Sequence, residues 1–182
     1  MIKWAFIFSC LILFVGCSNT TSVLTLSPYE AKGVNVRSNS NIIINSILDK
    51  RKNQSVVATI TDKKGTVSEY ITLGNNLTNW FSDALIKELK KNGAVFGGDD
   101  AKVVDITITE LKANLSGYSK DNMQGTSEIY IKIYKDGVTT TKRIAQPQTE
   151  FVPIATGGAF EPFIKTLLDD MIARTAKAIL AN

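Results

Sequence analysis

Two cysteines and no histidine bound the chemistry open to this chain of 182 residues. Without imidazole there is no Ser-His-Asp or Cys-His nucleophile to assemble, and no structural zinc site of the Cys/His type. Carboxylate pairs remain for acid–base work such as glycan cleavage. The two available pairs, Asp99–Asp100 and Asp169–Asp170, are adjacent in sequence. Adjacent side chains leave a helix or strand in different directions, so these pairs read as a loop and a solvated helix face. Gly157-Gly158 precedes a helical stretch and could present backbone N–H groups to an anion. No Gly-Lys-Ser/Thr follows, however, and Glu161 would itself use that positive end, so the stretch reads as a helix-entry turn. Gly97-Gly98 reads as a flexible link. No catalytic residue, metal ligand or cofactor is assigned, and the chain reads as a non-enzyme.

The cysteines are better explained by position than by reactivity. Trp4–Gly16 is an almost wholly apolar run after a single charge, Lys3. As a helix it would reach roughly 20 Å, short of the roughly 30 Å hydrocarbon core. A positive start, a short apolar run and a small residue at its end make the pattern of a secretory signal peptide spanning residues 1–16. A buried N-terminal strand is the alternative, but neither alternation nor a turn residue supports it.

The run closes on Phe14-Val15-Gly16-Cys17, which resembles the lipobox of bacterial lipoproteins. That resemblance implies cleavage between Gly16 and Cys17 and acylation of Cys17, with palmitate a representative chain. Phe14 stands where the family usually carries Leu, and Leu13 lies one place earlier. A soluble secreted protein with an incidental cysteine is the alternative. One acyl chain binds a bilayer reversibly, whereas several on one residue make a stable anchor. Ser18, rather than Asp, follows the cysteine, which under the sorting rule of enteric bacteria implies the outer membrane, facing the periplasm. Cys10 would leave with the signal peptide and Cys17 would be consumed by lipid. The mature chain would then carry no thiol or disulfide and stand on its hydrophobic core alone.

The whole-chain net charge of +4 falls by one when Lys3 is removed. Its lysines are scattered, in "DKRK", "DKK" and "KELKK", without aromatic residues at regular spacing. Solvated polar faces explain them, and no nucleic-acid partner is expected.

Elements follow from periodicity. Residues 17–32 are polar and read as a lipidated tether, with a short strand at Val23–Leu26. Residues 33–182 read as a single periplasmic domain; about 150 residues can bury one adequate core. "GVNVRSNSNIIINSILDKR" predicts one long or two short strands, and "SVVATI" and "TVSEYI" flank "TDKKG" as a hairpin. Leu77, Trp80, Phe81, Ala84, Leu85 and Leu89 share one face of a helix over about 76–92, capped by Asn75 or Asn76 and stopped at Gly93. Val104, Ile106 and Ile108 alternate with polar residues, as do Ile129, Ile131 and Ile133. Asp136-Gly137 predicts a two-residue hairpin, with a returning strand from Val138 to Ala145 or beyond. Phe160, Phe163, Ile164, Leu167, Leu168, Met171 and Ile172 mark a second helix over about 159–181. The expected fold is α+β, an antiparallel sheet packed by two amphipathic helices.

In this order the residues resemble the YajG family of bacterial outer-membrane lipoproteins. The cysteine comes first, then a β region, "NLTNWFSDALIKELKKNG", "VDITITELKANL" and "GGAFEPFIKTLLDDMIARTAKAIL". The resemblance implies a periplasm-facing lipoprotein and transfers no catalytic residue. Two functions are open. One is a non-catalytic component of a larger envelope assembly for secretion, motility or transport, with probable protein partners, recruited for example at a strand edge such as Val138–Ala145. The other is a lipoprotein holding a cell-wall fragment or lipid between helix and sheet, with Trp80, Phe81 and Phe160 as pocket candidates beside Tyr118, Tyr130 and Phe151.

Overall fold

The computed structural model describes residues 20–33 and 39–181. Gly16, Cys17 and the expected signal peptide lie outside those residues. Eight strands and two helices follow in chain order: β1 (Thr20–Leu24), β2 (Asn41–Asp49), β3 (Val56–Thr61), β4 (Val67–Leu73), α1 (Leu77–Lys91), β5 (Val95–Phe96), β6 (Lys102–Ser116), β7 (Met123–Lys135), β8 (Val138–Glu150) and α2 (Phe160–Leu180).

All eight strands join one sheet, in the order β1-β4-β3-β6-β2-β5, with β7 on the other flank of β6 and β8 beyond it. The α+β class holds, but the sheet is mixed rather than antiparallel. β1–β4, β2–β5, β2–β6 and β3–β6 are parallel, whereas β3–β4, β6–β7 and β7–β8 are antiparallel. The long strand β6 explains the difference. β2 pairs with its first half, from Lys102 to Ile108, and β3 with its last residues, Ala113 to Ser116. Both run in the same direction, so residues 50–55 interrupt one edge of the sheet instead of reversing it.

Local sequence sets the turns. Asp136 and Gly137 adopt φ of 50° and 75°, the paired positive values that a twist-matched two-residue hairpin needs. In the β3–β4 turn the Asp62 carboxylate accepts from the backbone N–H of Lys64 and Thr66, both at 2.8 Å. Asn76 caps α1, its side-chain oxygen accepting from the Asn79 N–H at 3.0 Å. Lys90 and Lys91 lie in the last turn, where the helix dipole favours cations.

Both helices cover one face of the sheet. Phe163 of α2 lies so close to Gly125 of β7 that an added Cβ there would stand 2.5 Å from the ring. Inward positions alternate cleanly along β6 until a bulge between Ile108 and Glu110. The extra residue reverses the alternation, so that Leu111, Ala113 and Leu115 point inward as Ile106 and Ile108 do. Among the described residues, the other face of the sheet carries no helix.

Part of the stretch expected as tether belongs to the sheet and the core. Thr20–Leu24 pairs with β4, and Leu24, Leu26 and Tyr29 are buried. Leu26 N–H donates to Asn75 Oδ1 at 2.6 Å, and the Trp80 indole donates to the Ser27 carbonyl at 3.0 Å. Residues 25–32 thus strap across the helix layer.

Candidate functional site

The uncovered face of the sheet is built from polar ladders. Thr59 of β3 donates to Asn114 of β6 at 3.0 Å, and Thr109 of β6 donates to Glu128 of β7 at 3.1 Å. Arg143 of β8 pairs with Glu128, and this guanidinium is the largest influence holding the Glu128 carboxyl below the usual carboxylate range. Tyr130 and Tyr134 stand beside this row, each 37% exposed. Cross-strand pairs of this kind fix strand register while leaving the surface wet.

Where β2 gives way to β3, the same face is hollowed into a cleft of about 500 Å³. Val56, Val57 and Thr59 form one wall, Lys112 and Asn114 the floor, and Thr126, Pro147 and Thr149 the other wall. No residue of α1 or α2 borders it, which places it opposite the helix layer. Asn53, Val56 and Lys112 also border a second hollow of about 490 Å³ over residues 109–112, so the two adjoin. Among the described residues, two buried polar atoms at these hollows lack a partner, Thr126 Oγ1 and Arg51 Nη1. The rest of the Arg51 guanidinium is engaged, donating through Nε and Nη2 to Asp49 and through Nη2 to the Gln54 carbonyl at 2.9 Å. Buried polar atoms are ordinarily satisfied, and these two stand as exceptions beside the hollows. Local sequence gave no signal of the cleft, because the gap opens only once two strands share one edge of β6.

The aromatic residues named from sequence do not converge on one cavity. Phe81 and Phe160 are core residues, 1% and 0% exposed. Trp80 packs edge-on to Tyr29 and borders a smaller hollow with Pro28, Asn75 and Asp83. Tyr130 stands on the uncovered face, and Tyr118 and Phe151 are exposed at one end of the sheet. The carboxylate pairs also separate. Asp99 and Asp100 lie in an exposed turn, while Asp169 is buried and pairs with Lys165 at 2.9 Å and Lys32 at 3.8 Å. Gly157 begins a short 3-10 turn at the entry to α2, pressed against the Glu69 carboxylate.

Among the described residues no cluster of three or more His, Cys, Asp or Glu could hold a metal ion, and no helix is long and apolar enough to cross a membrane. A family model described as "uncharacterized lipoprotein" matches residues 29–177. The chain belongs to this lipoprotein family, Lipoprotein_16. No curated relative matches by sequence. The fold is shared with protein XCC0632 from Xanthomonas campestris, at a TM-score of 0.58 and 11% identity, over 88% of this chain and 95% of that one. An uncharacterized protein overlaps at a TM-score of 0.55 and 9% identity, over 87% of this chain and 99% of that one. The rare lipoprotein B of Shewanella oneidensis overlaps more loosely, at a TM-score of 0.43 and 11% identity, over 68% of this chain and 90% of that one.

Proposed function

We propose that this lipoprotein is of the YajG kind, cleaved after Gly16, acylated at Cys17 and held on the periplasmic side of the outer membrane. Its role is that of a non-catalytic accessory component of a larger envelope assembly, in secretion, motility or transport. The observation that carries this reading is the half-covered parallel pair β3–β6. Parallel strands ordinarily have both faces packed, yet here one face is covered by helices and the other opens onto the cleft. A partner seated there would complete the layer. The anchor is tested by Cys17→Ala, which leaves an unprocessed or soluble form; normal processing and membrane fractionation of that variant contradict it.

The cleft also supports a second reading, as a receptor for an envelope small molecule such as a cell-wall fragment or lipid. Its volume of about 500 Å³ falls in the range of small-molecule sites, roughly 300–1,000 Å³. A thermal shift with such ligands, lost in Thr126→Phe, supports this reading, and equal responses of the two proteins contradict it.

A further inference from the structure

We propose that the end of the sheet at which β1 begins lies on the surface of the bilayer, with Tyr118, Phe151 and Ile154 in the headgroup region. The inference rests on acylation at Cys17. Strand register brings one end of six strands together. Thr20 is level with Glu69, Thr61 with Val67, Thr61 with Ser116, Leu115 with Met123, and Met123 with Glu150. The β3–β4 turn, the loop 117–122 and the loop 151–156 therefore emerge beside the start of β1.

That end carries three large, exposed side chains with apolar surface, Tyr118 at 72%, Phe151 at 52% and Ile154 at 70%. They do not sit on slack loops. Asn122 donates to the carbonyls of Gly117 at 3.0 Å and Val152 at 2.8 Å and accepts from the Val152 N–H at 2.8 Å, tying the two loops together. Aromatic side chains of this kind are favoured at the boundary between headgroups and hydrocarbon. Lys63, Lys64 and Lys120 at this end are balanced in number by Asp62, Asp121 and Glu150, so apolar insertion rather than net charge would hold the contact.

Chain length selects this end. From Cys17 to Thr20 there are three residue steps, which span at most about 11 Å. A lipid whose glycerol lies in the headgroup layer cannot hold Thr20 far from the membrane surface. The opposite end, where Val138 is exposed, lies a strand of 13 residues away, about 40 Å. The short tether therefore holds the loops of this end, rather than those of the opposite end, next to the bilayer.

The test uses full-length lipidated protein in vesicles of phosphatidylethanolamine and phosphatidylglycerol. With Cys10 removed and Cys17 acylated, a cysteine introduced at Ile154 or Val138 is the sole thiol, and each takes an environment-sensitive fluorophore. Nitroxide lipids are expected to quench the Ile154→Cys label several-fold, with a blue-shifted emission, and to leave the Val138→Cys label unchanged. Vesicle-bound protein with both labels equally quenched or equally unquenched overturns the orientation and leaves the anchor standing. Protein that fails to float with the vesicles overturns the anchor and this inference with it.

Discussion

The Tyr29 hydroxyl donates a 2.8 Å hydrogen bond to Oε2 of Glu88, a carboxylate on α1 with no exposed surface. The same oxygen accepts from the Lys32 N–H at 3.0 Å, and Oε1 accepts from Asn92 Nδ2 at 3.3 Å. Three donors thus take the place of water around a buried carboxylate. Two of them come from residues 25–32, so the strap that follows β1 is fixed to the helix layer at the point where leaving would cost most. If Cys17 carries the lipid, this clasp fixes the strap downstream of the anchor to the domain.

Tyr29→Phe removes one donor while keeping the ring. A hydrogen bond to a charged group contributes about 1.5–3 kcal/mol, and the variant is expected to lose stability in that range by urea denaturation. An unchanged midpoint contradicts the clasp.

The same pair gives stability a dependence on alkaline pH. Burial, first, and then the hydrogen bond to Glu88 and its charge raise the Tyr29 pKa above its ordinary 10.0. Above that pH the unfolded chain has lost a proton that the folded chain keeps. Stability contributed by this phenol is therefore full below about pH 10 and falls as pH rises further. Lys102 acts in the opposite sense: burial, then Lys135 and Lys142, lower its pKa from 10.5, so its penalty is relieved as pH rises towards that value. Tyr29→Phe should flatten the fall above pH 10, read as stability against pH. An equally steep fall in the variant contradicts the assignment to Tyr29.

Gly125 is required by proximity. A Cβ there would meet Phe163 at 2.5 and 3.1 Å and the Lys112 carbonyl at 3.2 Å. Gly125→Ala is expected to cost about 1–3 kcal/mol by overpacking. Phe163→Leu should recover part of that loss in the double variant, and strict additivity of the two changes would show that they are not coupled.

Asn122→Ala leaves the buried Val152 N–H and two carbonyls without their partner. An unsatisfied buried group costs about 1–3 kcal/mol. Limited proteolysis should cut the variant within 117–122 or 151–156 well before the parent, with α2 intact. Parental cleavage kinetics would exclude Asn122 as the link.

Much of this fold is legible in local sequence. The i, i+3, i+4 stripe from Leu77 to Leu89 gave α1 within a residue at each end, and the stripe from Phe160 did the same for α2. Asp136-Gly137 fixed the β7–β8 hairpin because few residue pairs accept two positive φ values. Partners beyond the neighbouring element left no such mark. Nothing in "NIIINSILD" or "VVATIT" states that both lie along the same edge of β6, so the parallel pairings were read as antiparallel. The cleft was missed for the same reason. It also lies away from the aromatic residues, whose burial as Phe81 and Phe160 reflects packing on the helix side. The bulge at Ile108/Glu110 is visible only as Leu111 falling out of alternation.

The role in an assembly is tested most directly by size. Membranes carrying the protein at native abundance would be solubilised in mild detergent, and the material sized and its co-eluting proteins identified. The expected species is far larger than a single 19.9 kDa chain in its micelle, contains defined envelope proteins and is lost when Lys112 and Thr149, which line the cleft, are replaced by glutamate. A lone lipoprotein in a micelle, from native membranes and at native level, would contradict it.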